Sequence, residues 1–579
     1  MQTSYSCRAL RGLLTAAAAT LALGAHAQAP DWQRAMPITT NITNWSQVQA
    51  TATDATGNVY VAGTFNGTVT FGATTLTSAG GYDAFIAKWD KVTQAFAWVR
   101  QAGGGADDLA YGLAVSGTSV YVSGTFVSPT ATFGTAVLAN AGSSPTTDMF
   151  VAKLSDTGTW AWAQRAGGTG SEGRASVAVV GSQVYVAGTF GGTTASFGST
   201  TLTNSGLPYT ADNYVAKLTD AGTTASFVWV QQFGSSDYDH GYNLVAQGNN
   251  VYVAGTFVTT ASFGPFSLTT AANGDVYVAK LTDAGPTASW QWAQRAGGPS
   301  NDILTALAVS GSNVYVGGNF TVSMAYGATI TFGGTTLTTP ASGDEFVAKL
   351  SDGGSSASWQ WAKQAGNPYI LSAGQVEALQ ASGNSVFVLG SFYNTTQAFG
   401  TTPLTSAGSL DIFVTRLTDA GTTASATWAQ RAGGSGIDQG YALALANGTV
   451  YAAGVVAPVA SFSTQVIGSA SGSNVGFLAT LPDATALAGT PAAAPLAGLA
   501  VYPSPTHGAA TVQLPAGLAA GPATFTLLDG LGRAVRTRTA TVAAGSQQAP
   551  FDVAGLAPGV YALRVAVGER LGTARLVVE

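Results

Sequence analysis

Short runs in which apolar side chains alternate with small or polar ones recur along most of this chain. A period of two is that of a β-strand with at least one buried face. The clearest run is Val59-Tyr60-Val61-Ala62-Gly63-Thr64-Phe65, and its tyrosine returns as Tyr121, Tyr185, Tyr252, Tyr315, as Phe387 and as Tyr451. Seven copies therefore follow one another, about 64 residues apart. Each copy holds four strand-like runs; in the second they span 111–115, 120–126, 149–154 and 160–165, with a further hairpin around Phe133. Four strands per unit, radially repeated, predict one propeller blade per copy. A solenoid would show a sub-period of about 20–29 residues, and none is visible.

The ends of the array predict how it closes. The tryptophan of the fourth run appears as Trp98, Trp162, Trp229, Trp292, Trp361 and Trp428, one copy short of seven. The last copy stops after its third run, at 477–481, while Asp31-Trp32-Gln33-Arg34-Ala35 near the start matches the stretch from Trp292 to Ala296. The expected fold is all-β: a seven-bladed β-propeller over 28–481, closed by an N-terminal strand that hides two otherwise open sheet edges. A linker over 482–495, rich in Pro, Ala and Gly, leads to 496–579, whose short, evenly spaced strand runs predict a small Ig-like β-sandwich. Residues 1–27 read as a signal peptide: Arg8 and Arg11, an apolar run from Leu13 to Leu23, then Ala25-His26-Ala27. No later stretch reaches the ~20 apolar residues of a spanning helix, so no transmembrane span is expected. Cys7, the single cysteine, leaves with the signal peptide.

Composition narrows the function. Charged residues make up 9% of the chain, against ~25% in average soluble domains. The 28–495 segment carries 24 acidic and 14 basic side chains, and 496–579 carries 4 and 6. An exported domain with that acidic excess is a poor match for nucleic acid. Three histidines are present, and only His240 falls in the repeats, so a His-based triad or multi-histidine metal site has no material.

Most carboxylates fall in register with the repeat. Asp83, Asp148, Asp212, Asp275, Asp344 and Asp411 precede the third run, each followed five residues on by Lys or Arg; turn capping with an ion pair inside each blade is the expected role. A second series, including Asp107, Asp108, Glu172, Asp239, Asp302 and Asp438, follows the Gly-Gly at each junction. Either these acids form Asx-type turns or they ring one mouth of the channel, where an oxygen-rich site suits Ca²⁺. Asp107, Asp108, Asp302 and Asp438 are the candidate metal ligands, and no other cofactor is expected. A binding site must break the repeat. Asp237, Tyr238, Asp239, His240 and Tyr242 form the densest such cluster, and 367–375 departs as well.

Two resemblances follow. Gly436-Ile437-Asp438 through Val450-Tyr451-Ala452-Ala453-Gly454 is similar to the bacterial SBBP-type β-propeller repeat, a likeness that extends over 31–481 and implies a fold but no activity. Val501-Tyr502-Pro503-Ser504-Pro505, Asp529-Gly530-Leu531-Gly532-Arg533, the stretch from Gly555 through Gly559 and Tyr561 to Val565, and the basic-apolar end resemble the C-terminal sorting domain of the type IX secretion system. The family usually has Asn where Ser504 stands. The resemblance implies partnership with that secretion machinery through Tyr502, Pro503, Pro505, Gly532, Arg533, Gly559 and Tyr561. It also implies passage through the periplasm to the cell surface or medium, in a Gram-negative bacterium of the Bacteroidetes type. The expected function is non-catalytic: a monomer that binds a protein, glycan or surface component, or a structural surface protein. The alternative is a polysaccharide lyase or hydrolase on the same scaffold.

Overall fold

A computed structural model describes residues 29–39, 44–206, 210–321, 327–340, 343–364, 374–393, 396–400, 402–468, 472–483, 494–495, 499–515, 521–528, 534–542, 548–567 and 570–579. The signal-peptide segment and most of the expected linker lie outside these residues. All regular structure among them is β. Two units separate, 1–484 and 485–579.

In the first unit seven antiparallel sheets succeed one another along the chain, five of four strands and two extended to six by the hairpin that follows. Their first strands are Ser46–Thr53, Asp108–Ser116, Glu172–Val180, His240–Gln247, Asn301–Ser310, Gln375–Ser382 and Gln439–Ala446. Each packs against the next, and the last packs back on the first, so these strands line the axis of a closed ring. The Val-Tyr-Val phrase is the second strand of each sheet, and its residues are almost entirely buried: Tyr60, Tyr121, Tyr185, Tyr252 and Tyr315 all lie in core clusters between neighbouring sheets.

The seventh sheet has the order expected of a chain that closes on itself. Arg34–Pro37 pairs antiparallel with Val475–Pro482, which pairs with Thr449–Val456. The register, however, differs by three residues from the sequence match, which sets Arg34 against Arg295. Arg34 stands opposite Thr480, the position equivalent to Lys280, and Lys280 faces Trp292. Trp32 therefore occupies the place of Trp290 and Trp359. It makes the edge contact with Phe462 that Trp290 makes with Phe263 and Trp359 with Phe332. Its indole Nε1 donates to the Arg431 carbonyl at 2.8 Å, as Trp359 does to Arg295 at 3.0 Å. Packing against the phenylalanine of the extra hairpin, not the Gln-Arg-Ala tail, decides the register.

Each first strand carries a bulge, at Gln49, Tyr111, Arg174, Tyr242, Thr305, Glu377 and Tyr441. A bulge inserts one residue and re-aims its side chain. It also explains the glycine of the repeated phrase: a Cβ on Gly63 would collide with the Gln47 carbonyl oxygen, and one on Gly454 with that of Gln439.

The second unit holds two sheets. One joins Ala500–Tyr502, Ala509–Gln513 and Gln548–Asp552; the other joins Ala494–Pro495, Arg570–Val578, Gly559–Val567, Gly521–Leu528 and Ala534–Val542. Val512 and Phe551 of the first share a core with Phe525, Leu563 and Leu576 of the second. Ala494 and Pro495, expected in the linker, pair with Arg570 and Leu571.

Candidate functional site

Three sets of polar residues sit at defined places on this frame. The first lies between adjacent sheets. The lysines do not pair with the aspartate five residues earlier, as their spacing suggested; they cross to the next sheet. The Lys280 ammonium lies 2.7 Å from the Asp352 carboxylate, to which the Tyr252 hydroxyl and the Trp292 Nε1 also donate, at 2.7 and 3.0 Å. Asp220, Asp283 and Asp419 each collect the same three donors from the preceding sheet. Burial opposes ionisation of these four carboxyls, but the lysine, tyrosine and tryptophan donors outweigh it and hold them below the usual range. The signal was the aspartate three residues after Lys217, Lys280, Lys349 and Arg416, in a different copy from its partners.

The second set is the two acidic series, which meet. Asp108, Asp239, Asp302 and Asp438 accept backbone N–H groups from Gly104, Ser235, Gly298 and Gly434, capping the Gly-Gly turns as Asx-type acceptors. All four are buried. Each lies within electrostatic reach of the third-strand acid of the preceding sheet: Asp83, Asp212, Asp275 and Asp411. Glu172 lies within electrostatic reach of Asp148 in the same way. Burial, then the neighbouring acid, raises Asp302 to about 8, Glu172 to about 10 and Asp438 to about 6; burial raises Asp239 to about 7. Oδ1 of Asp83, Asp148, Asp275, Asp302 and Asp411 and both Glu172 oxygens are buried without a hydrogen-bond partner. Fourth-strand arginines, Arg165, Arg295 and Arg431, reach the third-strand acids in three junctions. Asp107 stands apart, exposed, accepting the Tyr82 N–H at 2.9 Å. No group of three His, Cys, Asp or Glu able to hold a metal is present among the described residues.

The described members of the expected cluster around His240 point in different directions. Asp239 turns inward into the junction, Tyr238 is half exposed, Asp237 accepts the Tyr238 N–H at 2.8 Å, and His240 is exposed at the start of its strand. Tyr242 occupies the bulge of that strand; its side chain, like residues 367–373, lies outside the described residues.

The third set is the ring of bulge residues at the axis, which sequence reasoning passed over. Arg174 Nη2 donates to Gln49 Oε1 at 3.2 Å, and its guanidinium lies 4.8 Å from the centre of the Tyr111 ring. Glu377, from the opposite side of the ring, is raised to about 8 by burial, with Arg174 opposing the shift. Tyr441 is pushed up to about 12 by burial and then by Glu377, and its hydroxyl donates to Gln439 at 2.8 Å. Side chains from five sheets thus meet around Arg174. A signal existed: the residue before Ala50, Gly112, Ala175, Asn243, Ala306, Ala378 and Ala442 changes chemistry in nearly every copy while its neighbours stay small or apolar.

In the second unit, the Tyr502 hydroxyl bridges Gln513 and Gln548 at 3.2 and 2.7 Å, and Tyr561 donates to the Ala557 carbonyl at 2.7 Å. Ser504 Oγ accepts the Val577 N–H at 3.0 Å, and Gly559 opens the strand Gly559–Val567. Pro503 and Pro505 fall between the first two strands; Gly532 and Arg533 lie outside the described residues.

Residues 500–579 match the family model of the secretion system C-terminal sorting domain. The chain is accordingly addressed through the type IX system to the cell surface or extracellular space. No helix among the described residues is long and apolar enough to cross a membrane. No curated protein matches the chain. Among solved structures it is similar to the phage phi92 endosialidase, at 8% identity over 78% of this chain and 69% of that one, with a TM-score of 0.37. A Dyadobacter fermentans protein of unknown function matches at 11% identity over 66% and 96%, with a TM-score of 0.32. A Trypanosoma rangeli sialidase matches at 10% over 84% and 86%, with a TM-score of 0.31. Likeness at this level transfers no residue and no activity.

Proposed function

We propose that this protein is an exported, non-catalytic seven-bladed β-propeller of the SBBP-repeat type that binds a protein, glycan or surface component at its axis. In this reading residues 1–27 are a signal peptide and the Ig-like domain at 496–579 is the export address. The observation that carries the binding reading is the axial ring. Elsewhere the polar residues repeat from sheet to sheet and are consumed by structure, whereas five of the bulges place Gln49, Tyr111, Arg174, Glu377 and Tyr441, all but the two tyrosines of different chemistry, at equivalent positions. A site for one asymmetric ligand needs such a break in symmetry. The test is a glycan and surface-protein binding array with the whole exported chain and its Arg174→Ala variant, run beside a hydrolase and lyase screen. Saturable binding weakened by the substitution supports the proposal; turnover of any polysaccharide overturns its non-catalytic part.

One observation favours the alternative of a lyase or hydrolase. Glu377, raised to about 8, would hold a proton near neutral pH, as a general acid must, and it acts on Tyr441 and Arg174. Loss of turnover in Glu377→Gln would identify that chemistry. Calcium belongs to the proposal at the acid pairs, where buried carboxylate oxygens lack partners; such oxygens suit a hard cation.

A further inference from the structure

The junction between the seventh and first sheets reverses the charge pattern of the other six. At those six, an aspartate at one place beyond the third strand faces the preceding sheet: Asp220, Asp283, Asp352, Asp419 and Asp483 through their carboxylates, and Asp156, whose backbone carbonyl accepts from Trp98. At the closing junction Lys91 stands in its place. Across from it, the cation is replaced by Thr480 and the tryptophan by Arg34, while Tyr451 is kept. Two cations therefore face a junction where the repeat puts one cation against one anion.

They line a cavity of about 680 Å³, within the usual size of small-ligand sites. None of its lining residues is acidic. The Arg34 guanidinium rests over the Trp89 ring at 5.5 Å and donates to Gln94 Oε1 and to the Gln94 carbonyl; the Lys91 ammonium lies 3.3 Å from the Thr56 carbonyl. These neutral acceptors hold both cations in position without cancelling their charge. Around them Gln33, Gln465, Thr480 and Tyr451 add amides and hydroxyls. A guanidinium fork beside an ammonium matches a carboxylate, and amides and hydroxyls match a polyhydroxylated ring.

We propose that this seam cavity binds an acidic sugar unit of a polysaccharide, its anionic group held between Arg34 and Lys91. The proposal rests on the reading of the domain as a binder and places a ligand away from the axis. It is tested by calorimetry on the whole exported chain with a short oligogalacturonate, a neutral oligosaccharide of equal length and a sulfated one. Two variants are compared: Lys91→Asp, which brings back the carboxylate of the other six junctions, and Arg34→Gln, with melting curves to show that both fold. Binding of the oligogalacturonate, weakened at least tenfold in each folded variant and by added salt, is expected. Stronger binding of the sulfated sugar would support the site with sulfate as its natural anion. Equal binding of the neutral sugar, or no heat with either acidic one, overturns it. Array binding that is lost in Arg174→Ala but unchanged in both seam variants would overturn this site while leaving the axial reading intact.

Discussion

At the residue scale, the polar groups of the junctions divide into two kinds with opposite pH behaviour. Asp352 and its three counterparts are depressed in the folded state, so the stability they contribute is present above the ordinary carboxyl range and is lost as pH falls through their folded values. Asp352→Ala would strand the buried Lys280 and Tyr252 and should cost about 3–5 kcal/mol, as removing one partner of a buried pair does, read from the denaturant midpoint. The acid pairs work the other way. Asp302, Asp239 and Asp438 are raised to about 8, 7 and 6. Their contribution is complete below the ordinary value near 4 and is lost as pH rises through the folded values. In EDTA the melting temperature should therefore fall between about pH 5 and pH 8, and Asp302→Asn should flatten that fall. Calcium at the pairs would reverse it, because a cation stabilises both carboxylates ionised. A Ca²⁺-induced rise in melting temperature at pH 8, with heat in calorimetry, is the expected result. With neither, the pairs are held by shared protons alone.

At the scale of the element, the N-terminal strand is four residues long, Arg34–Pro37, yet it covers the outer edge of the last sheet. Trp32 adds its buried ring to the core built from Phe462, Phe477 and Trp428. Removing residues 28–37 exposes the edge of Val475–Pro482 and empties that pocket. A melting temperature lowered by several degrees, or aggregation, is expected; an unchanged curve with monomeric elution would contradict closure by this strand. The strand itself was legible from the count of tryptophans, but its register was not. The sequence match compared identities along one strand, whereas the register is set by what Trp32 packs against, a phenylalanine some 430 residues away. The same reason hid the Tyr-Lys-Trp-Asp junctions: three donors come from one copy and the acceptor from the next. Repeats display what each copy shares and conceal contacts between copies. The axial residues were missed for a related reason, since a column that varies looks like noise until the bulges bring Gln49, Tyr111, Arg174, Glu377 and Tyr441 together.

At the scale of the whole molecule, legibility was highest where a motif is read by other proteins rather than by this fold. The tail landmarks around Tyr502, Gly559 and Tyr561 identified 500–579 before any geometry, because export machinery imposes them whatever precedes. The two units are built accordingly: each satisfies its own sheets and has its own core. The ring is therefore expected to fold without the tail, whereas delivery depends on it. Deleting residues 496–579 should leave a chain whose ring melts as in the full protein but which accumulates in the periplasm, checked by fractionation and protease accessibility of whole cells. Arrival of the truncated chain at the cell surface would mean that the address lies in the ring instead. A truncated chain that stays inside and also melts early would show that the tail supports the fold as well as its transport.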